Sequence, residues 1–261
     1  MKKILLVAAL LSFAAALWAA VPRAAALQVT AMQTSDSGAF PAFNQANELY
    51  SKGEYEKSAA AYENLASKNG AGTALYFNLG NAYYKTQRYG KSVLNYERAA
   101  RLSPRDPDVR FNLNFLRNVV KEPPEPFPEI MVTWLNSLIS LNELTILCSA
   151  LFFALMFGLM AALALKRSGI IVFNAVCGLL LVVLSGWLLV KLNMEVFTRE
   201  AIVVSGPADV RNGPGTENSV GFNLPEGRKV TVLGAKDDWA AIGLKSEGLK
   251  GWIEKKYLEE I

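Results

Sequence analysis

Two uncharged apolar runs, residues 144–165 and 170–190, are separated only by Lys166-Arg167-Ser168-Gly169. Wound as helices rising 1.5 Å per residue, each is long enough to cross about 30 Å of hydrocarbon. A link of four residues forces the pair into an antiparallel hairpin, so the chain before it and the chain after it emerge on one side. The two basic residues of the link mark the cytoplasmic side, which faces both flanking parts outward. Spans are expected over 143–165 and 170–191, with a cytoplasmic loop over 166–169. Trp134 and Trp187 suit an interfacial aromatic belt. Ala150, Ala154, Gly158 and Ala162 form a small-residue stripe, with Gly178 and Ser185 as its facing side. It either closes the hairpin on itself or serves a contact between copies. Cys148 and Cys177, the two cysteines, fall in different spans and read as small buried apolar residues rather than a disulfide.

A third uncharged run, residues 4–20, comes after Lys2 and Lys3 and precedes Ala24-Ala25-Ala26. A basic start, an apolar middle and small residues at the end make a secretory signal over 1–26, cleaved after Ala26. The alternative is an uncleaved anchor helix; both readings export the chain beyond residue 26. Residues 27–42 have no clear period and form an unassigned leader. Of the formal charge of +4, three charges sit in residues 1–26, so the remaining chain carries only +1. The basic balance is mostly an export signal, and no nucleic-acid partner is expected.

Compared with itself at a shift of 34 residues, the chain repeats Phe43, Asn44, Asn47, Tyr50, Tyr55, Ser58, Tyr62 and Glu63 as Phe77, Asn78, Asn81, Tyr84, Tyr89, Ser92, Tyr96 and Glu97. That period means a two-helix unit stacked on its copy. A third unit begins at Phe111-Asn112-Leu113 and stops at Val120, before its second helix, and is expected to cap the second unit. Leu79-Gly80, Tyr83, Tyr89, Ser92, Tyr96, Ala99 and Pro104 resemble the signature of the tetratricopeptide repeat, with Ser92 in place of the usual alanine. The resemblance implies an all-α repeat domain over 43–120, whose first helices line a concave groove. Asn47, Phe77, Asn78, Asn81, Tyr84, Lys85 and Phe111 are its candidate partner-binding residues. Carboxamides pair with the main chain of an extended peptide and aromatic rows supply apolar contact. The alternative is that the aromatic rows pack helix on helix. The linear pattern offers no packing reason for asparagine to recur.

Residues 121–129 are proline-rich and read as an extended linker, succeeded by an amphipathic helix over 130–142 that suits a membrane surface. After a linker over 192–200, residues 201–261 turn to short alternating runs broken by glycine and proline, which fits an all-β barrel of five or six strands. Val210-Arg211-Asn212-Gly213-Pro214-Gly215-Thr216, Leu224-Pro225-Glu226-Gly227, Val230, Val232, Trp239 and Gly251-Trp252-Ile253 resemble a bacterial SH3 domain. Trp239 and Trp252 are its candidate contacts for a peptidoglycan peptide. Asn212 to Gly215 read as a turn rather than a phosphate cradle, since no Lys-Ser/Thr comes after them. Asp237-Asp238 and Glu259-Glu260 read as solvated charge.

No histidine occurs in the 261 residues, which removes Ser-His-Asp and Cys-His nucleophiles and histidine metal sites. No catalytic residue, metal or cofactor is assigned, and the chain is expected not to be an enzyme. The order of parts, namely signal, short repeat stack, two-span hairpin with a basic loop and SH3-like barrel, resembles the BatE-type family of bacterial aerotolerance-operon membrane proteins. That resemblance implies an inner-membrane scaffold in a stress-linked complex, with both soluble domains periplasmic. It also implies membrane partners bearing von Willebrand A domains, a BatD-type protein and a MoxR-type ATPase. The alternative function is wall sensing or anchoring through the barrel.

Overall fold

The computed structural model of the protein describes residues 39–69, 72–123, 127–165, 168–244 and 247–261. The expected signal segment, most of the leader, and Lys166-Arg167 of the loop lie outside the described residues.

Five helices build the repeat lobe: α1 (Ala39–Ser51), α2 (Tyr55–Asn69), α3 (Thr73–Lys85), α4 (Tyr89–Leu102) and α5 (Pro107–Val119). At α5 the Asp106 carboxylate accepts from the Asp108 and Val109 amides while Pro107, which lacks the amide that would go unpaired there, opens the first turn. The 34-residue repeat is visible in the bonding. Ser58 donates to the Ala46 carbonyl at 2.9 Å, and Ser92 donates to the Gly80 carbonyl at 2.7 Å. The serine standing for alanine is thus buried with its hydroxyl satisfied, and it fastens the second helix of each unit to the first.

Next come α6 (Phe127–Leu138), α7 (Leu141–Leu165) and α8 (Ser168–Leu192). The sequence suggests an extended linker through residue 129. The helix instead starts at Phe127, because Pro128 falls in its first turn, where a missing amide costs no hydrogen bond. Ser140 and Glu143 cap α7 reciprocally: the Glu143 amide donates to Ser140 Oγ at 3.2 Å and the Ser140 amide to Glu143 Oε2 at 2.9 Å. The paired antiparallel helices α7 and α8 are long and apolar enough to cross a membrane, and most of their surface is unburied. Gly158 of the small-residue stripe faces α8, but not at Gly178, around which a Cβ would meet open space; a Cβ on Gly158 would collide with the Asn174 amide. Cys148 and Cys177 are free and buried.

In place of a linker over 192–200, α8 runs into a π-helical turn (Asn193–Phe197) and then directly into the barrel. The barrel has seven strands rather than five or six: β1 (Glu200–Val203), β2 (Ala208–Arg211), β3 (Val220–Leu224), β4 (Lys229–Lys236), β5 (Trp239–Leu244), β6 (Leu249–Glu254) and β7 (Leu258–Glu260). They form one antiparallel sheet in the order β3-β2-β6-β5-β4-β1-β7. Ala240, Ile242 and Leu244 alternate inward from β5 and meet Val210, Val230 and Ile253 in the core. The Arg211 guanidinium donates to the carbonyls of Thr216 and Asn218, which ties the 212–218 segment down as a turn.

Candidate functional site

The barrel is docked on the repeat lobe. Ile202 of β1, fully buried, packs with Val93 and Leu94 of α4 and with Leu113 and Leu116 of α5. It gives the truncated third unit the apolar cover that a second helix would have supplied. Around this contact Arg98 donates to Glu259 Oε1 at 3.1 Å, and Arg101 donates to Glu200 Oε2 at 3.0 Å. Glu259, expected only as solvated charge, is thus also an ion-pair partner at the seam, with its side chain still partly exposed. Glu97 is the centre of the seam: it pairs with Arg117 of α5 at 2.5 Å and with Lys229 of β4 at 3.6 Å. Burial favours its neutral form, but Lys229, Arg117 and Arg101 outweigh burial and hold the carboxyl down at about 2. Burial also opposes charge on Lys229, which Glu97 and Glu200 overcome to raise its ammonium.

Gly90 marks how close the two parts come. A Cβ there would stand 2.5 Å from the Val203 carbonyl oxygen and 2.9 Å from Val204 Cα. The corresponding residue of the first unit, 34 positions earlier, is the exposed Glu56. Likewise exposed Ala60 becomes buried Leu94, and exposed Glu63 becomes buried Glu97. The second unit is thus specialised for the barrel.

Docking uses α4 and the Leu113–Leu116 side of α5; it leaves α1, α3 and the exposed Phe111–Phe115 side of α5 clear of the barrel's main contacts, and the sequence-derived groove residues lie there. The asparagines have a structural reason to recur after all. Asn47 Oδ1 accepts from Tyr62 at 2.5 Å and from Asn78 at 3.1 Å; Asn81 Oδ1 accepts from Tyr96 at 2.6 Å and from Asn112 at 3.2 Å. Each carboxamide satisfies a buried tyrosine hydroxyl and couples one first helix to the next. Phe77 is half-buried against Tyr96, with ring centroids 5.8 Å apart, as Phe43 is against Tyr62. Lys85 is exposed, its Nζ 5.9 Å over the Tyr55 ring.

Phe111 differs from its row. Its unit has no second helix to supply a tyrosine, and it is 71 % exposed. Beside it on α5 are Phe115, at 47 %, and the exposed Val119, an apolar stripe at four-residue spacing. Tyr84 meets Phe115 edge to face at 5.9 Å, so Tyr84, Phe115 and Phe111 make a continuous aromatic face. Phe115 and Val119 were missed from the sequence, although the shift of 34 places Phe115 where Asn47 and Asn81 stand.

The outer face of the barrel carries the other candidates. Trp252 is opposite Ala241, and Trp239 is two residues before Ala241, so both indoles lie on the same side of the sheet, diagonally across β5 and β6. The exposed Leu233 of β4 lies over Gly243 nearby.

Residues 206–259 match the family model of the bacterial SH3 domain, and residues 80–115 match a TPR repeat model. The chain carries a TPR repeat and a bacterial SH3 domain. No curated protein shows significant similarity to the chain. Among solved structures it is similar to a CopN-Scc3 complex at 19 % identity and a TM-score of 0.33, covering 34 % of this chain and 53 % of that one. The chain thus spans about half the length of that relative. It is also similar to the Yersinia enterocolitica type III secretion chaperone SycD, solved with a peptide of the translocator YopD, at 15 % identity and a TM-score of 0.32, covering 59 % and 96 % of the two chains. A type III secretion complex from Aeromonas hydrophila is similar at 14 % identity, a TM-score of 0.32 and coverages of 60 % and 88 %. The TPR and SH3 modules are of kinds that bind other proteins.

Proposed function

We propose that the protein is a non-enzymatic adaptor of the bacterial inner membrane, anchored by α7 and α8, that holds periplasmic protein partners on the aromatic face of its repeat lobe. The observation that carries this reading is the fusion of the TPR and SH3 modules into one body whose open edge presents Tyr84, Phe115 and Phe111. Large apolar side chains left in the open on a helix face are what a partner covers. The membrane placement is supported by the two apolar helices, and its sidedness by Lys166-Arg167 between them. The absence of any histidine from the sequence supports the non-enzymatic part; turnover abolished by a single substitution would overturn it. The finer assignment, a BatE-type scaffold whose partners bear von Willebrand A domains in an aerotolerance-linked complex, rests on the order of the parts along the chain. Proteins that co-purify with the chain should be lost from the Phe111→Ser, Phe115→Ser double variant, with affinity falling about 30-fold or more if these are anchor residues. Partners that remain after this change would sink the reading.

A second reading is favoured by one observation, the shared outer face of Trp239 and Trp252. On it, the barrel binds peptidoglycan peptides by stacking on the indoles. Retention of the full chain on purified sacculi, lost on Trp239→Ala, supports this; equal retention of the variant refutes it.

A further inference from the structure

Between the repeat lobe, the barrel and the outer end of the helical hairpin lies a chamber of about 940 Å³, within the size range of small-molecule sites. Its walls come from the repeat lobe, the barrel and the helices between them: α4 and α5 on one side, β4 and β5 on another, and α6 with the adjoining ends of α7 and α8 on the third. Six basic and four acidic side chains line it, so its field is positive. Each of the four acids already has a cation: Glu97 and Glu122 pair with Arg117, Glu200 pairs with Arg101 and Lys229, and Glu195 pairs with Lys191. Arg228 pairs with Glu247. Among the described residues Arg110, on α5, is the lining cation with no carboxylate at ion-pair distance. It sits on the exposed side of its helix and is free to turn to an anion.

The side of the chamber toward the hairpin is apolar where Ile130, Trp134 and Leu141 form it. Along α6 the row continues with Phe127, Met131 and Leu135, all exposed. The polar side of the same helix is bolted to α8: Trp187 Nε1 donates to Asn136 Oδ1 at 3.0 Å, and the buried Lys191 donates to the Asn136 carbonyl at 2.6 Å. A positive chamber thus sits at the level of the hairpin's end, with an apolar path leading from it along a surface helix. An anion with an apolar tail fits both halves of this arrangement.

We propose that the chamber holds the phosphate headgroup of an anionic phospholipid, with Arg110 as the cation available to it and the acyl chains lying along α6. The inference rests on the membrane reading above and adds a ligand to it. The test uses the full chain purified in detergent and stripped of lipid, titrated with phosphatidylglycerol, phosphatidylcholine or glycerol phosphate while binding is tracked by native mass spectrometry. Phosphatidylglycerol should bind about tenfold more tightly than phosphatidylcholine, whose own quaternary ammonium offsets the phosphate charge that Arg110 would meet. Arg110→Gln should reduce that preference to about twofold or less, and Arg88→Gln, remote from the chamber, should leave it intact. Asn114→Glu sets a competing carboxylate one turn along the same wall and should have the same effect as Arg110→Gln, which guards against misfolding of one variant. Equal binding of the two lipids, or a preference that survives both α5 variants, overturns the proposal. Glycerol phosphate binding as tightly as the lipid overturns the lipid as source. Carbonate extraction separates the two levels: release of the protein from membranes refutes the membrane reading, whereas retention without lipid preference refutes only the chamber.

Discussion

Glu97 and Glu63 occupy the same position of successive repeats, yet one is buried at 6 % exposure and the other is open to solvent. The difference is the barrel, which brings Lys229 to Glu97 and removes water. Glu97→Gln would leave Arg117 and Lys229 with half their compensating charge, and should cost about 3 kcal/mol, read as a lower unfolding midpoint; Glu63→Gln should be close to neutral. The pH dependence comes from the same pair. An unfolded glutamate titrates near its ordinary 4.5 and the folded one at about 2, so the fold favours the ionised form. Its contribution is complete above about pH 4.5 and is lost as the pH falls toward 2. Acid titration of the midpoint should therefore lose a component over that window in the native chain and not in Glu97→Gln. Asn81 can be judged the same way. Its Oδ1 is the acceptor for the Tyr96 hydroxyl, and burial pushes that phenol up to about 12. Asn81→Ala should destabilise the repeat lobe by about 1–3 kcal/mol in thermal melts. A variant that melts like the native chain but loses a partner would return Asn81 to the role of a groove contact.

Between elements, the fit of α4 against β1 turns on the missing side chain of Gly90. Gly90→Ala forces the Val203–Val204 backbone away from the helix, and overpacking of this kind costs about 1–3 kcal/mol. Each part keeps its own core, so the expected outcome is a loosened seam: faster hydrogen exchange along β1 and cleavage between α8 and the barrel, with Glu56→Ala unchanged as the control. Gly90 also shows where the sequence was silent. Helices, hairpin and barrel were legible because each leaves a period: 34 residues for the stacked units, long uncharged runs for α7 and α8, alternation for the strands. The dock between repeat and barrel leaves none, because it is made by residues that break the repeat. Glu56 to Gly90, Ala60 to Leu94, Asn64 to Arg98 and Ser67 to Arg101 look like ordinary drift until the barrel is set against them. The asparagines misled for the opposite reason. Their recurrence was plain, but whether a carboxamide faces a ligand or a neighbouring tyrosine depends on the second helix, whose register a linear pattern does not give.

At the scale of the whole molecule, both lobe and barrel are secured to one end of the hairpin. Arg105, between α4 and α5, pairs with Glu143 in the first turn of α7, while α8 passes into β1 through a single π-helical turn. If α7 and α8 span a membrane, the two soluble parts must therefore lie on the same face of it, and Ser168 at the start of α8 on the other. Introduced cysteines test this cleanly because the native thiols of Cys148 and Cys177 are buried in the hairpin. Ser51 on α1 and Ser219 in the barrel are exposed, as is Ser168. In sealed vesicles of known orientation, Ser51→Cys and Ser219→Cys should react together with a membrane-impermeant maleimide, and Ser168→Cys only from the opposite side or after detergent. Labelling of Ser51→Cys and Ser219→Cys from opposite faces would break the hairpin reading, and with it the docked seam, since Arg98 and Glu259 cannot meet across a bilayer.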